Sequence, residues 1–122
     1  MGFKYDSSIT SFSPFNLKGI KNYQPYQYPG IKIIEVPLTI QDTTLFCDLD
    51  YTSEKAFNTL KDLIDKITAI GGVAMVNTHP SITSQHLEFY KKLLQYLSHQ
   101  ETILVTTLNQ AVDLFKSNKQ YV

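Results

Sequence analysis

A single cysteine, Cys47, and no tryptophan stand in this sequence. One thiol cannot close an intrachain disulfide or build a cysteine-based zinc site, and Cys47 is expected to serve as a small apolar side chain. An excess of either charge is also missing: 11 Lys and Arg balance 11 Asp and Glu, and no basic stripe is visible. That argues against nucleic acid and anionic membranes as main partners. No apolar run approaches the length of a membrane span, and the N-terminus has no signal-peptide layout. The chain as given is therefore expected in the cytoplasm, although a chain missing its natural start would also lack an export signal. The common cofactor and nucleophile signatures are missing too: Gly-x-x-x-x-Gly-Lys, Gly-x-Gly-x-x-Gly, Gly-x-Ser-x-Gly and His-Glu-x-x-His.

What is present fits one domain over residues 1–122, with 43% hydrophobic and 18% charged residues, enough for a real core. Its centre is Val73-Ala74-Met75-Val76-Asn77-Thr78-His79-Pro80. Gly71 and Gly72 release this stretch from a helical pattern, and it then runs apolar into a polar tip. It predicts a buried parallel strand. In such sheets chemistry is usually mounted at the C-terminal strand ends, where His79 stands.

Around that strand the chain reads β–loop–β–α–β–α–β–α. Phe3 and Tyr5 alternate as a short strand that Asp6-Ser7-Ser8 ends. Residues 10–30 hold Pro14, Pro25, Pro29, Gly19, Gly30 and the aromatics Phe12, Phe15, Tyr23, Tyr26 and Tyr28. They predict an ordered lid that either seals a barrel rim or stacks sugars. Ile31–Ile40 predicts a second strand with a bulge or an edge at Pro37. Glu35, inside that apolar run, needs a partner or a cavity, and a structural partner is the first expectation. Asp42, Asp48 and Asp50 read as solvated turn acids rather than a metal cluster.

Thr52 or Ser53 caps a helix whose apolar face is Phe57, Leu60, Leu63, Ile64, Ile67 and Ile70, stopped by Gly71-Gly72. A second helix after Pro80 carries the stripe Leu87, Tyr90, Leu93, Leu94 and Leu97, which leaves His86 and His99 on the surface. Thr102–Thr107 predicts a fourth strand, and Asn109 caps a last short helix through Val112 and Phe115. This order implies a parallel α/β sheet with right-handed crossovers. Asp6 at the end of the first strand and His79 at the end of the third would then share a rim, where an Asp that orients a His makes an acid–base pair.

Several stretches, in order, carry a resemblance. They are Gly2-Phe3-Lys4-Tyr5-Asp6-Ser7-Ser8, Gly19-Ile20-Lys21 with Pro25-Tyr26, and Ile34-Glu35-Val36-Pro37-Leu38-Thr39-Ile40-Gln41-Asp42 with Leu45-Phe46. Gly71-Gly72, Thr78-His79-Pro80, Tyr90 with Leu93-Leu94 and the closing strand–helix complete the set. Together they resemble the C-terminal half of the polysaccharide deacetylase family, carbohydrate esterase family four and its relatives. The resemblance implies a partial (β/α) barrel of about four mainly parallel strands and three helices. It also implies hydrolysis of N-acetyl or related amide bonds in carbohydrates, with a divalent metal such as zinc in the full-length family. Asp6 would match the Asp that tunes a late catalytic histidine, and His79 would match that histidine, which protonates the leaving amine.

The chain departs from the family where the metal is held. It has neither the Asp-Asp motif nor His-x-x-x-His, and none of its three histidines lies four residues from another. Asp6 and His79 alone are too few ligands for a catalytic zinc. No cofactor is therefore expected in this chain, and the catalytic pair is expected to be inactive alone. The missing half would be supplied as a partner, with carbohydrate as the substrate class. The alternative expectation is a non-catalytic α/β domain. Four strands cannot close a barrel that needs about seven or eight, so its open sheet edges would drive a homo-oligomer.

Overall fold

The computed structural model describes residues 2–10 and 23–119. Four short strands come first: β1 (Tyr5–Asp6), β2 (Tyr26–Gln27), β3 (Ile34–Glu35) and β4 (Leu38–Gln41). A π-helical turn, Thr44–Asp48, leads to helix α1 (Ser53–Ala69) and strand β5 (Met75–Asn77). Helices α2 (Pro80–Gln85), α3 (Leu87–Ser98) and α4 (Leu108–Lys119) follow. The result is a mixed α/β fold of helices and small sheets, with no closed barrel among the described residues.

Pro37 divides the expected second strand. It has no N–H to give a ladder, and β3 and β4 on either side of it belong to different sheets. β3 pairs parallel with β1, placing Asp6 opposite Glu35, and antiparallel with β2. β4 pairs parallel with β5, placing Leu38 opposite Met75 and Gln41 opposite Asn77. The register is irregular between Leu38 and Ile40, and there the Thr39 hydroxyl accepts the Met75 N–H at 2.9 Å.

β1 ends at Asp6, where Asp6-Ser7-Ser8 suggests, and isolated backbone contacts continue past it. Val36 donates to the Asp6 carbonyl at 2.8 Å, Leu38 donates to the Ile9 carbonyl at 2.9 Å, and Thr10 bridges Leu38 in parallel. Glu35 is fully buried, and its Oε1 accepts the Ile9 N–H at 3.0 Å across the interruption. That is a structural partner for one oxygen; Oε2 and the buried Ser7 hydroxyl have none among the described residues.

Thr52 caps α1 by accepting the Lys55 N–H at 3.2 Å. Ala56, Leu60, Ile64 and Ile67, one turn apart, form its buried stripe, while Ile70 is exposed. Ala56, Leu60 and Ile64 pack with Ile40, Leu45, Phe46, Phe89 and Leu93 into the larger core. A second cluster gathers Ile34, Val36 and Val112, with Tyr5, Val73, Met75, Leu108 and Phe115 against it. The stripe of α3 is rotated from the expected one: Phe89 and Leu93 are buried, whereas Leu87 and Leu94 are exposed. The α4 cap is Thr107, whose hydroxyl accepts the Gln110 N–H at 3.3 Å, so Asn109 lies inside the helix.

The expected strand Thr102–Thr107 is not formed. Its β-branched run lines an open groove of about 570 Å³ together with Met75 and Val76. Leu104 and Val105 remain 69% and 68% exposed. A groove stands where a ladder to β5 would have formed, so the β-propensity of this run is not realised as pairing.

The end of α1 yields a stability prediction. Gly72 donates to the Ile67 carbonyl at 2.9 Å, and Val73 donates to the Tyr23 carbonyl at 2.7 Å. A Cβ on Gly72 would lie 2.9 Å from Ile67 Cγ2 and 3.0 Å from the Tyr23 carbonyl oxygen. Gly72→Ala is expected to cost about 1–3 kcal/mol through this overpacking. Urea unfolding checks it, with Gly2→Ala as the silent control, since nothing lies within 4 Å of that position.

Candidate acid–base site

Parallel pairing of β4 with β5 brings two chain exits to one edge. Gln41 is opposite Asn77, so Asp42 and Thr78-His79 leave the sheet side by side. Asp42 opens the way into the π-helical turn, and its Oδ1 accepts the Thr43 N–H at 2.8 Å. His79 is the extended N-cap residue of α2 (φ −116°, ψ 133°), with Pro80 in the first helical turn where a missing N–H costs nothing. From there the His79 N–H donates to Asp42 Oδ2 at 2.6 Å, and ring Nδ1 lies 2.6 Å from Oδ1. From α3, the Tyr90 hydroxyl donates to Oδ2 at 2.6 Å.

Each carboxylate oxygen thus has two partners. Asp42 is 1% exposed at its side chain, whereas the His79 side chain is 40% exposed. An ionised carboxylate only accepts, so the Nδ1 edge of neutral His79 carries its proton and Nε2 holds the free lone pair. What results is a histidine oriented from behind by a buried acid, with its outer edge open.

Burial acts to raise the Asp42 carboxyl. The hydrogen bonds from Tyr90, from the His79 ring and from the His79 and Thr43 N–H groups outweigh it and hold the group below its ordinary 3.8. The Tyr90 phenol is pushed up to about 12, by burial first and then by Asp42 beside it. The linkage has a definite sign. A carboxyl depressed in the folded state contributes stability that is present above the ordinary carboxylate range and is lost as pH falls through the folded value. Unfolding by urea at about pH 6 and about pH 3 is expected to show that loss, and Asp42→Asn is expected to remove its Asp42 component.

No protein-family model, curated protein or solved structure matches this chain.

The geometry of the site corrects the expected partner of His79. Asp6 is exposed and accepts the Ser7 N–H and the Ser8 hydroxyl, both at 2.8 Å. It lies opposite Glu35, whereas His79 follows Asn77, which lies opposite Gln41. Asp42, read from the sequence as a solvated turn acid, is the residue that meets His79.

His86 is not a free surface histidine: its ring stacks on Phe46 with centroids 3.7 Å apart and planes 7° apart. His99 is exposed, and its Nδ1 lies 2.7 Å from the Gln95 carbonyl. Cys47, expected as a small apolar side chain, is exposed. Of the expected aromatic lid, Tyr26 and Tyr28 meet edge to face at 5.4 Å. Phe12, Pro14, Phe15 and Gly19-Ile20-Lys21 lie outside the described residues.

The residues present do not fit the metal that the resemblance implies. Among the described residues no three of His, Cys, Asp and Glu are grouped to hold an ion. Asp42 has all four acceptor positions engaged, and Nδ1 of His79 is engaged with it. Nε2 is the one position this pair leaves open to a ligand, short of a protein zinc site. Among the described residues no helix is long and apolar enough to cross a membrane.

Proposed function

We propose that this chain is the acid–base portion of a polysaccharide-deacetylase-like hydrolase acting on N-acetyl or related amide bonds of carbohydrates. His79 is the proton carrier and Asp42, not Asp6, is its charge partner. In this reading the two small sheets are arcs of a partial (β/α) barrel, the C-terminal half of the family's fold. The observation that supports it is the 2.6 Å contact between His79 Nδ1 and the buried Asp42, mounted where two parallel strands end.

The protonated ring gives its Nε2 proton to the departing amine nitrogen as the C–N bond breaks. Water supplies the oxygen of the new carboxyl group, and the neutral ring regains a proton from solvent. Asp42 stabilises the imidazolium through Nδ1 and does not itself transfer the proton. The metal-binding half is a separate contribution, from a preceding segment or another chain.

Acetate release from a chitooligosaccharide, with zinc present, tests the reading. The chain alone is expected to release none, and addition of the segment encoded immediately upstream of Met1 is expected to restore release. An upstream frame without Asp-Asp and His-x-x-x-His motifs, and no second chain carrying them, would end the enzyme reading.

A second reading, self-association without catalysis, is favoured by a different observation. Among the described residues β5 has one strand partner, and Phe3 is 79% exposed beside the β1 edge. A homodimer burying these edges is the form it takes. A monodisperse monomer by light scattering at roughly tens of micromolar would overturn it.

A further inference from the structure

Tyr90 reaches the site from α3, an element that neither β4 nor β5 anchors through the sheet. Its hydroxyl lies 2.6 Å from Asp42 Oδ2, on the oxygen that does not meet the His79 ring. Phe89 and Tyr90 pack edge to face with centroids 4.9 Å apart, and Phe89 is buried in the main core. The phenol is therefore held by helix packing, and its hydroxyl is delivered to a fixed place. A phenol beside an ionised carboxylate can only donate.

We propose that Tyr90 is a positioning residue for His79. By filling the last acceptor position on Oδ2 it stops the carboxylate from turning, which keeps Oδ1 aimed at Nδ1 and the free lone pair at Nε2. It also draws charge from Asp42, so that the acid stays ionised and accepts from the ring without taking the proton. The role deepens the reading of His79 as a proton carrier and rests on that reading for its function. The hydrogen-bond network itself does not depend on it. The titratable groups that face Asp42 are His79, from the β5–α2 turn, and Tyr90, from α3; its other two partners are the backbone N–H groups of Thr43 and His79.

Tyr90→Phe keeps the ring packing and removes the one donor. Carbon-13 spectra of the Asp42 carboxyl followed through an acid titration are expected to show protonation at a pH higher by roughly half a unit or more than in the unmutated chain. The downfield Nδ1–H proton of His79 is expected to disappear at that same higher pH. If both titrations are unmoved in folded Tyr90→Phe, Tyr90 only packs, and the proposal is overturned.

A measurement on the unmutated chain keeps the test sharp should Tyr90→Phe unfold. The Tyr90 Cζ signal must shift as Asp42 titrates in acid, and a flat signal there also overturns the proposal. Neither readout uses acetate release. Failure of the deacetylase reading and failure of the Tyr90 assignment are therefore seen separately.

Discussion

Asp42→Ala is expected to destabilise the fold by about 3 kcal/mol or more, the largest loss from any single side chain near the site. The carboxylate is 1% exposed and satisfies four donors: the Thr43 and His79 N–H groups, the His79 ring and the Tyr90 hydroxyl. Alanine leaves the two backbone donors without an acceptor and the phenol with Thr83 alone, and each buried donor so stranded costs about 1–3 kcal/mol. The His79 ring recovers part of its share from water, because that side chain is 40% exposed. For a domain with about 5–15 kcal/mol in total, such a loss lowers the melting temperature by roughly 10–20 °C. Thermal melts by circular dichroism check it.

Asp42→Asn preserves the shape and separates charge from geometry. An amide has one accepting and one donating end, and either orientation sets the NH₂ against a backbone N–H: Thr43 on one side, His79 on the other. With the NH₂ toward Nδ1, the ring must change tautomer to accept from it, which moves the free lone pair away from Nε2. Asn is therefore expected to fall between Asp and Ala in stability. A ring-nitrogen spectrum reads the outcome: the original tautomer means the amide oxygen faces Nδ1, the other tautomer that the NH₂ does.

The sequence let His79 be placed on the rim but did not reveal what it meets there. The apolar run after Gly71-Gly72, ending in Thr78-His79-Pro80, marks a strand end by itself, because β-branched periodicity and a following proline are local signals. Pairing is not local. Asp6 was the expected partner because both residues end strands, yet the register sets Asp6 against Glu35, well short of Gln41.

A usable signal did lie in the chain. Asp42 follows the β4 run as closely as His79 follows β5, and adjacent parallel strands bring such residues together. What hid it was Pro37, which splits one β-rich run into two sheets and gives β4 a neighbour different from that of β3. The same limit explains Thr102–Thr107, where composition favours a strand but the space beside β5 is a groove. The stripe of α3 was displaced because Leu87 and Leu94 continue its 3.6 period while Phe89, the larger side chain, fills the core.

His79→Ala is expected to invert the pattern of Asp42→Ala. Removing the imidazole deletes one of the four contacts to Asp42, while the His79 backbone N–H, the Thr43 N–H and the Tyr90 hydroxyl keep their acceptor. The lost ring is partly exposed, and the carboxylate it leaves is still held by three donors, so the cost in stability is expected to be about 1 kcal/mol. Proton transfer to a leaving amine has no substitute in the neighbourhood: Tyr90 is turned toward Asp42, and its phenol is pushed up to about 12. Under the proposed deacetylase reading, His79→Ala is accordingly expected to lower kcat/KM for acetate release by about 10²–10⁴-fold.

A double-mutant cycle with Asp42→Asn then separates the two roles. If Asp42 acts only through His79, the double variant is no slower than His79→Ala alone, since there is no imidazolium left to stabilise. Additive losses would mean that Asp42 touches the reacting groups by a route of its own. Full activity of His79→Ala would remove the acid–base assignment altogether.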